Sequence, residues 1–93
     1  GIANKFEEMA RTRSKATVRI IRMRKVSFID ATGLHNLEIF ISSTLESGRK
    51  VVLSGVNESV YRSLKRSGLV AKVGKENVQE NIHKALNRAA EIC

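Results

Sequence analysis

The stretch Val18-Arg19-Ile20-Ile21-Arg22-Met23, followed by Phe28-Ile29-Asp30-Ala31-Thr32-Gly33-Leu34, decides how this chain folds. Its first part is β-branched and apolar apart from its arginines, which predicts a strand near Thr17–Arg24. The second part reads as a buried strand that ends in a sharp turn, with Asp30 as the cap of the next helix. A carboxylate at that position accepts backbone N–H bonds that the first helical turn cannot satisfy internally. Leu34, Leu37, Ile41 and Leu45 then recur at helical spacing, so the helix is expected from about Ala31 to Ser47. Gly48 is placed to stop it in a left-handed conformation.

Upstream, Asn4 with Glu7 three residues on has capping-box spacing and predicts a first helix. Phe6, Met9 and Ala10 share one of its faces, and Arg11, Arg13 and Lys15 suit the negative end of its dipole. Downstream, Val51-Val52-Leu53 is a short apolar run of the kind found in covered parallel strands. Ser54-Gly55-Val56-Asn57 turns the chain, and Asn57 caps a helix carrying Val60, Tyr61 and Leu64 that Gly68 ends. Leu69–Val73 is expected to form a further short strand. Asn77-Val78-Gln79-Glu80 repeats the capping-box spacing and opens a last helix with Ile82, Ala85, Leu86 and Ala89 on one face. Helices thus alternate with strands, which implies an α/β fold: an open, mainly parallel sheet with crossover helices.

Ninety-three residues make one domain, 1–93, with a modest core. An apolar fraction of 42% excludes wholesale disorder, and with only four aromatics that core must be mostly Ile, Leu, Val and Ala. No apolar run approaches the roughly 20 residues that span a bilayer, and the first residues lack the order of a signal peptide. A lone Cys93 forms no internal disulfide and fits a reducing compartment. A soluble cytosolic fragment is the expectation. The formal charge of +8 is uneven, since residues 1–26 alone carry eight basic and two acidic groups. Such asymmetry suits a negative partner: lipid headgroups, nucleic acid or an acidic protein.

The turn Ser27-Phe28-Ile29-Asp30-Ala31-Thr32-Gly33-Leu34 resembles that of STAS domains, a family comprising anti-sigma-factor antagonists and the cytoplasmic tails of sulfate-permease-type (SulP) anion transporters. The resemblance extends to the glycine-led Gly1-Ile2-Ala3-Asn4-Lys5-Phe6-Glu7, to Leu53-Ser54-Gly55-Val56-Asn57, and to Leu64-Lys65-Arg66-Ser67-Gly68-Leu69. It is closest to the bacterial transporter tails, and it implies a STAS-type sheet lacking the family's two N-terminal strands. In the antagonist branch, the residue after the turn's Asp is a serine that a kinase phosphorylates. Here that residue is Ala31, which has no hydroxyl, and Thr32 points elsewhere. The resemblance therefore implies a non-catalytic regulatory domain of an inner- or plasma-membrane anion transporter. Its partners would be the transmembrane domain of the same transporter or an acidic cytosolic protein. The alternatives are a stand-alone antagonist-like regulator without the phosphoserine switch, and a nucleotide- or anion-sensing module.

By resemblance to the antagonist branch, the interaction surface comprises Asp30, Ala31, Thr32, Gly33, Leu34, His35, Asn36, Ser43 and Glu46. Arg22, Arg24 and Lys25 fall near the carboxyl end of the first strand, where open α/β sheets bind ligands, and are candidates for an anion or nucleotide. No Gly-rich phosphate loop accompanies them. Arg11, Arg13, Lys15, Arg62, Lys65 and Arg66 are candidates to face an anionic lipid surface or an acidic partner. His35 and His83 have no partner at metal-ligand spacing, and Glu7 and Glu8 diverge on a helix, so neither a metal site, a cofactor nor catalysis is expected. Nucleic-acid binding is disfavoured because Phe6, Phe28, Phe40 and Tyr61 fall mostly at core-type positions rather than forming a stacking platform.

Overall fold

Two short parallel strands organise the described residues. The computed structural model describes residues 17–93; the expected first helix, with Arg11, Arg13 and Lys15, lies outside the described residues. Strand β1 (Val18–Arg22) pairs with β2 (Lys50–Ser54), in register from Val18 opposite Lys50 to Arg22 opposite Ser54. Parallel neighbours cannot be joined by a tight turn, so the chain crosses over through helix α1 (Ala31–Glu46). It continues through α2 (Glu58–Arg66), α3 (Leu69–Val73), a 3₁₀ turn (Lys75–Asn77) and α4 (Ile82–Ile92). The expected α/β class, with parallel strands and crossover helices, is the one observed.

Strand geometry sorts the core. Successive side chains leave a strand on opposite faces, and partners in a parallel register share a face. Val51 and Leu53 are fully buried with Ile41 of α1, Val60 and Leu64 of α2, and Leu69, Val70 and Val73 of α3. Ile21, opposite Leu53, packs against the same cluster. Val52 and Ala85, both completely buried, lie outside that cluster, on the face where α4 crosses both strands. Each buried Val, Leu or Ile side chain contributes about 1.5–3 kcal/mol by leaving water. β2 is therefore covered on both sides, as its unbroken apolar run predicted.

The expected caps hold at two helices. Asp30 accepts from the Gly33 amide at 2.8 Å and Asn57 from the Val60 amide at 2.8 Å. Gly48, at φ +88°, follows the end of α1.

Three expectations are overturned. Leu69–Val73 is a helix, not a strand: Gly68, at φ +86°, turns the chain, and the Lys72 and Gly74 amides bond to the carbonyls of Gly68 and Val70. Leu69, Val70 and Val73 are buried while Ala71 and Lys72 are exposed, a helical period that β-branched composition had masked. The chain meets β2 again at Val78, in a single parallel bridge to Leu53. Asn81, not Asn77, caps the last helix by accepting from the Lys84 amide at 2.9 Å. Asn77 instead donates to the Val73 carbonyl and accepts from Arg88 Nε, each within 2.8 Å, which ties the 3₁₀ turn to α4. Finally, Phe28 is not part of a buried strand. β1 ends at Arg22, and Phe28 sits 74% exposed in an irregular stretch. Among the described residues, no helix is long and apolar enough to cross a membrane.

Candidate functional site

The link from β1 to α1 carries Arg24, Lys25 and Asp30 and leads into the candidates on α1, and its shape follows from four contacts. The Met23 amide bonds to the Ser54 carbonyl at 2.7 Å, one step beyond the strand pair. The Val26 amide returns to the Met23 carbonyl at 3.0 Å, closing a tight turn with Arg24 and Lys25 at its corner. Gly55, at φ +71°, rests directly on Arg24. A Cβ there would stand 2.7 Å from the Arg24 nitrogen, so no other residue fits without moving backbone. Asn57 then spends its Nδ2 on the carbonyls of Val26 and Ser27, both at 3.1 Å, while its Oδ1 caps α2.

This clamp delivers the chain to Asp30, whose extended backbone and Oδ1–Gly33 bond start α1. Gly33 lies under Ile29, and a Cβ there would meet Ile29 Cγ1 at 2.9 Å. Of the expected interaction residues, Asp30, Ala31, Thr32, His35, Asn36, Ser43 and Glu46 are exposed. Gly33 is half-buried and Leu34 turns inward against the core. At about 100° per residue, Thr32, His35, Asn36, Ser43 and Glu46 fall on one stripe along α1. Ile39 lies at its centre, 55% exposed.

Sequence reading missed Ile39, although the same period places it there. It also put Phe40 among core-type positions. Phe40 is 42% exposed, and the Arg19 guanidinium lies over its ring at 4.8 Å. The result is a mixed surface: polar groups that hydrogen-bond, around an aliphatic and an aromatic side chain that remain in contact with water.

The basic candidates separate into two groups. Arg22, Arg24 and Lys25 are exposed and, with Val26, line a cavity of about 390 Å³. Arg62, Lys65 and Arg66 lie on the outer stripe of α2, opposite buried Val60 and Leu64. Arg62 is paired with Glu58 at 3.3 Å. On α4, Lys84 bonds to Glu80, and that hydrogen bond, with the ammonium charge, holds the Glu80 carboxyl below the usual carboxylate range. His35 and His83 are exposed on separate helices, and among the described residues no cluster of His, Cys, Asp and Glu is placed to hold a metal ion.

The family model of the STAS domain matches residues 1–85. Two solved structures are similar. One, a sulfate transporter family protein from Wolinella succinogenes, is 42% identical, with a TM-score of 0.77 over 82% of this chain and 62% of the other. The second, the STAS domain of a SulP transporter from Vibrio cholerae, is 37% identical, with a TM-score of 0.78 over 82% of this chain and 59% of the other. The chain thus spans about three fifths of the length of these two structures. No curated protein matches it significantly. A family match over nearly the whole length, a parallel βαβ core and an Asp-capped turn agree: the chain belongs to the STAS domain family.

Proposed function

We propose that this STAS domain is a non-catalytic, cytoplasmic regulatory part of a sulfate-permease-type anion transporter, and that it acts by docking against the transmembrane part of the same protein. The observation that carries the reading is the outward stripe of α1. A helix packed only for stability leaves polar residues outside, yet here Ile39 and neighbouring Phe40 stay exposed among Thr32, His35, Asn36 and Ser43. Aliphatic and aromatic groups ringed by neutral polar ones are what a docking partner desolvates with profit. The turn that starts the stripe is fixed by Asp30 and by the Asn57 clamp, so the surface is presented with little ordering cost. Likeness to the STAS domain of a SulP transporter supports the transporter setting. At Ala31 there is no hydroxyl to phosphorylate, which sets the domain apart from the antagonist branch.

The test uses the complete transporter in proteoliposomes. Ile39→Asp places a charge at the centre of the stripe without touching the core, and is expected to lower sulfate uptake several-fold. A cysteine at Ser43 is expected to cross-link to the membrane part. Unchanged uptake together with no cross-link from the α1 stripe refutes docking through this face.

A further inference from the structure

We propose that the outer surface of the α2–α3 hairpin is a docking face for an anionic lipid surface, carried by Lys65, Arg66 and Lys72. Both helices turn their apolar residues to one core. Val60 and Leu64 of α2 and Leu69, Val70 and Val73 of α3 are buried together with Val51 and Leu53. The opposite sides of the two helices therefore look outward together, and what they expose is cationic or small. From Glu58 to Val73, Ala71 is the only exposed apolar side chain and Glu58 the only acid. Glu58 is engaged by Arg62 at 3.3 Å, so Lys65, Arg66 and Lys72 have no carboxylate partner among the described residues. Nor are Lys65 and Arg66 taken up in capping α2. The carbonyls of Ser63, Leu64 and Lys65 in its last turn already accept from the Ser67 amide, the Ser67 hydroxyl and the Gly68 amide. Elsewhere several cations are engaged: Lys84 and Arg88 with carboxylates, Lys50 with the Ile92 carbonyl, Arg19 with the Phe40 ring.

The chemistry of this face selects its partner. A protein interface is anchored by aromatic or arginine side chains that fill pockets, and it is depleted in lysine. The hairpin exposes no aromatic side chain, and two of its three free cations are lysines. Lysine carries a compact, hydrated charge on a flexible stem, which suits a fluid array of headgroups that rearranges to meet it. Beside an anionic leaflet each such residue raises partitioning about fivefold, so three acting together give about a hundredfold. The attraction fades beyond roughly 8–10 Å at ordinary salt, so only the face that lies on the leaflet contributes. Lys84, on the helix that covers the other side of the sheet, is too far round to share that contact. The membrane setting rests on the transporter reading above, whereas the contact itself involves neither the α1 stripe nor the transmembrane part.

The chain is sedimented with phosphatidylcholine vesicles, with and without an equal part of phosphatidylglycerol. Binding is expected only with the anionic lipid, and Lys65→Gln/Arg66→Gln/Lys72→Gln is expected to weaken it about a hundredfold. All three residues are exposed and glutamine is a comparable helix former, so the fold is kept, as unchanged circular dichroism will check. A control removes the same number of charges elsewhere: Arg24→Gln/Lys25→Gln at the carboxyl end of β1 and Lys84→Gln on α4. Its loss should be no more than about threefold, because those charges are screened from the leaflet. With a spin-labelled lipid in the anionic vesicles, broadened amide signals should cluster at residues 62–72. An equal loss in the control overturns the proposal, since it would reveal diffuse attraction by a basic chain. Full binding by the triple variant overturns it as well. So does capture by poly-glutamate without binding to anionic vesicles, which would assign the face to an acidic protein. None of these failures bears on the uptake test of the α1 stripe, so the two readings stand or fall separately.

Discussion

Gly55→Ala should damage this fold through one contact, and the size of the effect can be worked out by comparison with a second glycine. Gly55 and Gly48 both have positive φ, +71° and +88°. An alanine at either position costs about 1–2 kcal/mol for adopting a left-handed conformation. At either position, too, the unfolded chain loses similar freedom, a stabilisation of about 0.4–1 kcal/mol that cancels between the two variants. What differs is space. Around Gly48 nothing lies within 4 Å of the added Cβ, whereas at Gly55 it meets the Arg24 N and Cβ at 2.7 Å and Cα at 2.8 Å. Those are backbone and near-backbone atoms in a hydrogen-bonded turn, so relief requires moving the turn, at roughly 1–3 kcal/mol. Gly55→Ala is thus expected to lose about 1–3 kcal/mol more than Gly48→Ala in urea unfolding at 25 °C, with equal m-values. Amide shifts in Gly55→Ala should concentrate at Arg22–Val26. Equal losses for the two alanines would refute the claim that Gly55 exists to let the β2 end touch the basic turn.

Two further predictions follow from polar contacts. Asn57→Ser keeps a side-chain oxygen able to cap Val60 and removes both bonds to Val26 and Ser27, whereas Asn57→Ala removes all three. Denaturation should rank alanine below serine by about 1 kcal/mol, the worth of a cap, and hydrogen exchange at Val26–Phe28 should rise in both variants. In an NMR titration, the Glu80 carboxyl should titrate below the usual carboxylate range, and Lys84→Gln should return it there. Because the folded-state value is the lower one, this pair stabilises the fold above the unfolded carboxylate's pKa, and the contribution disappears as pH falls through the folded one.

Reading the chain locally succeeded wherever the deciding partner lies within a turn or so. Asp30 and Asn57 reach amides three residues away, and Gly48 answers to the helix it closes. Periodicity likewise separated the buried side of α1, with Ile41 at its centre, from the outward stripe of Thr32, His35, Asn36 and Ser43. The same count, carried one position further, would have found Ile39. Val51-Val52-Leu53 announced a strand covered on both faces, since no alternation of polar residues interrupts it.

What only the tertiary structure decided involves partners far along the chain. On paper Asn77, with Glu80 three residues on, is the cap of the last helix. Arg88, eleven residues on, takes Asn77 for its own hydrogen bond, and Asn81 caps α4. Leu69–Val73 has strand-like composition, but its amides close on their own carbonyls after Gly68, and Val78 takes the bridge to β2 instead. Asn57 clamps a turn thirty residues away, and Gly55 is a glycine because Arg24 stands against it. Caps and periods are short-range and written in order along the chain, whereas close approach and convergence arise only when segments distant in sequence are packed together.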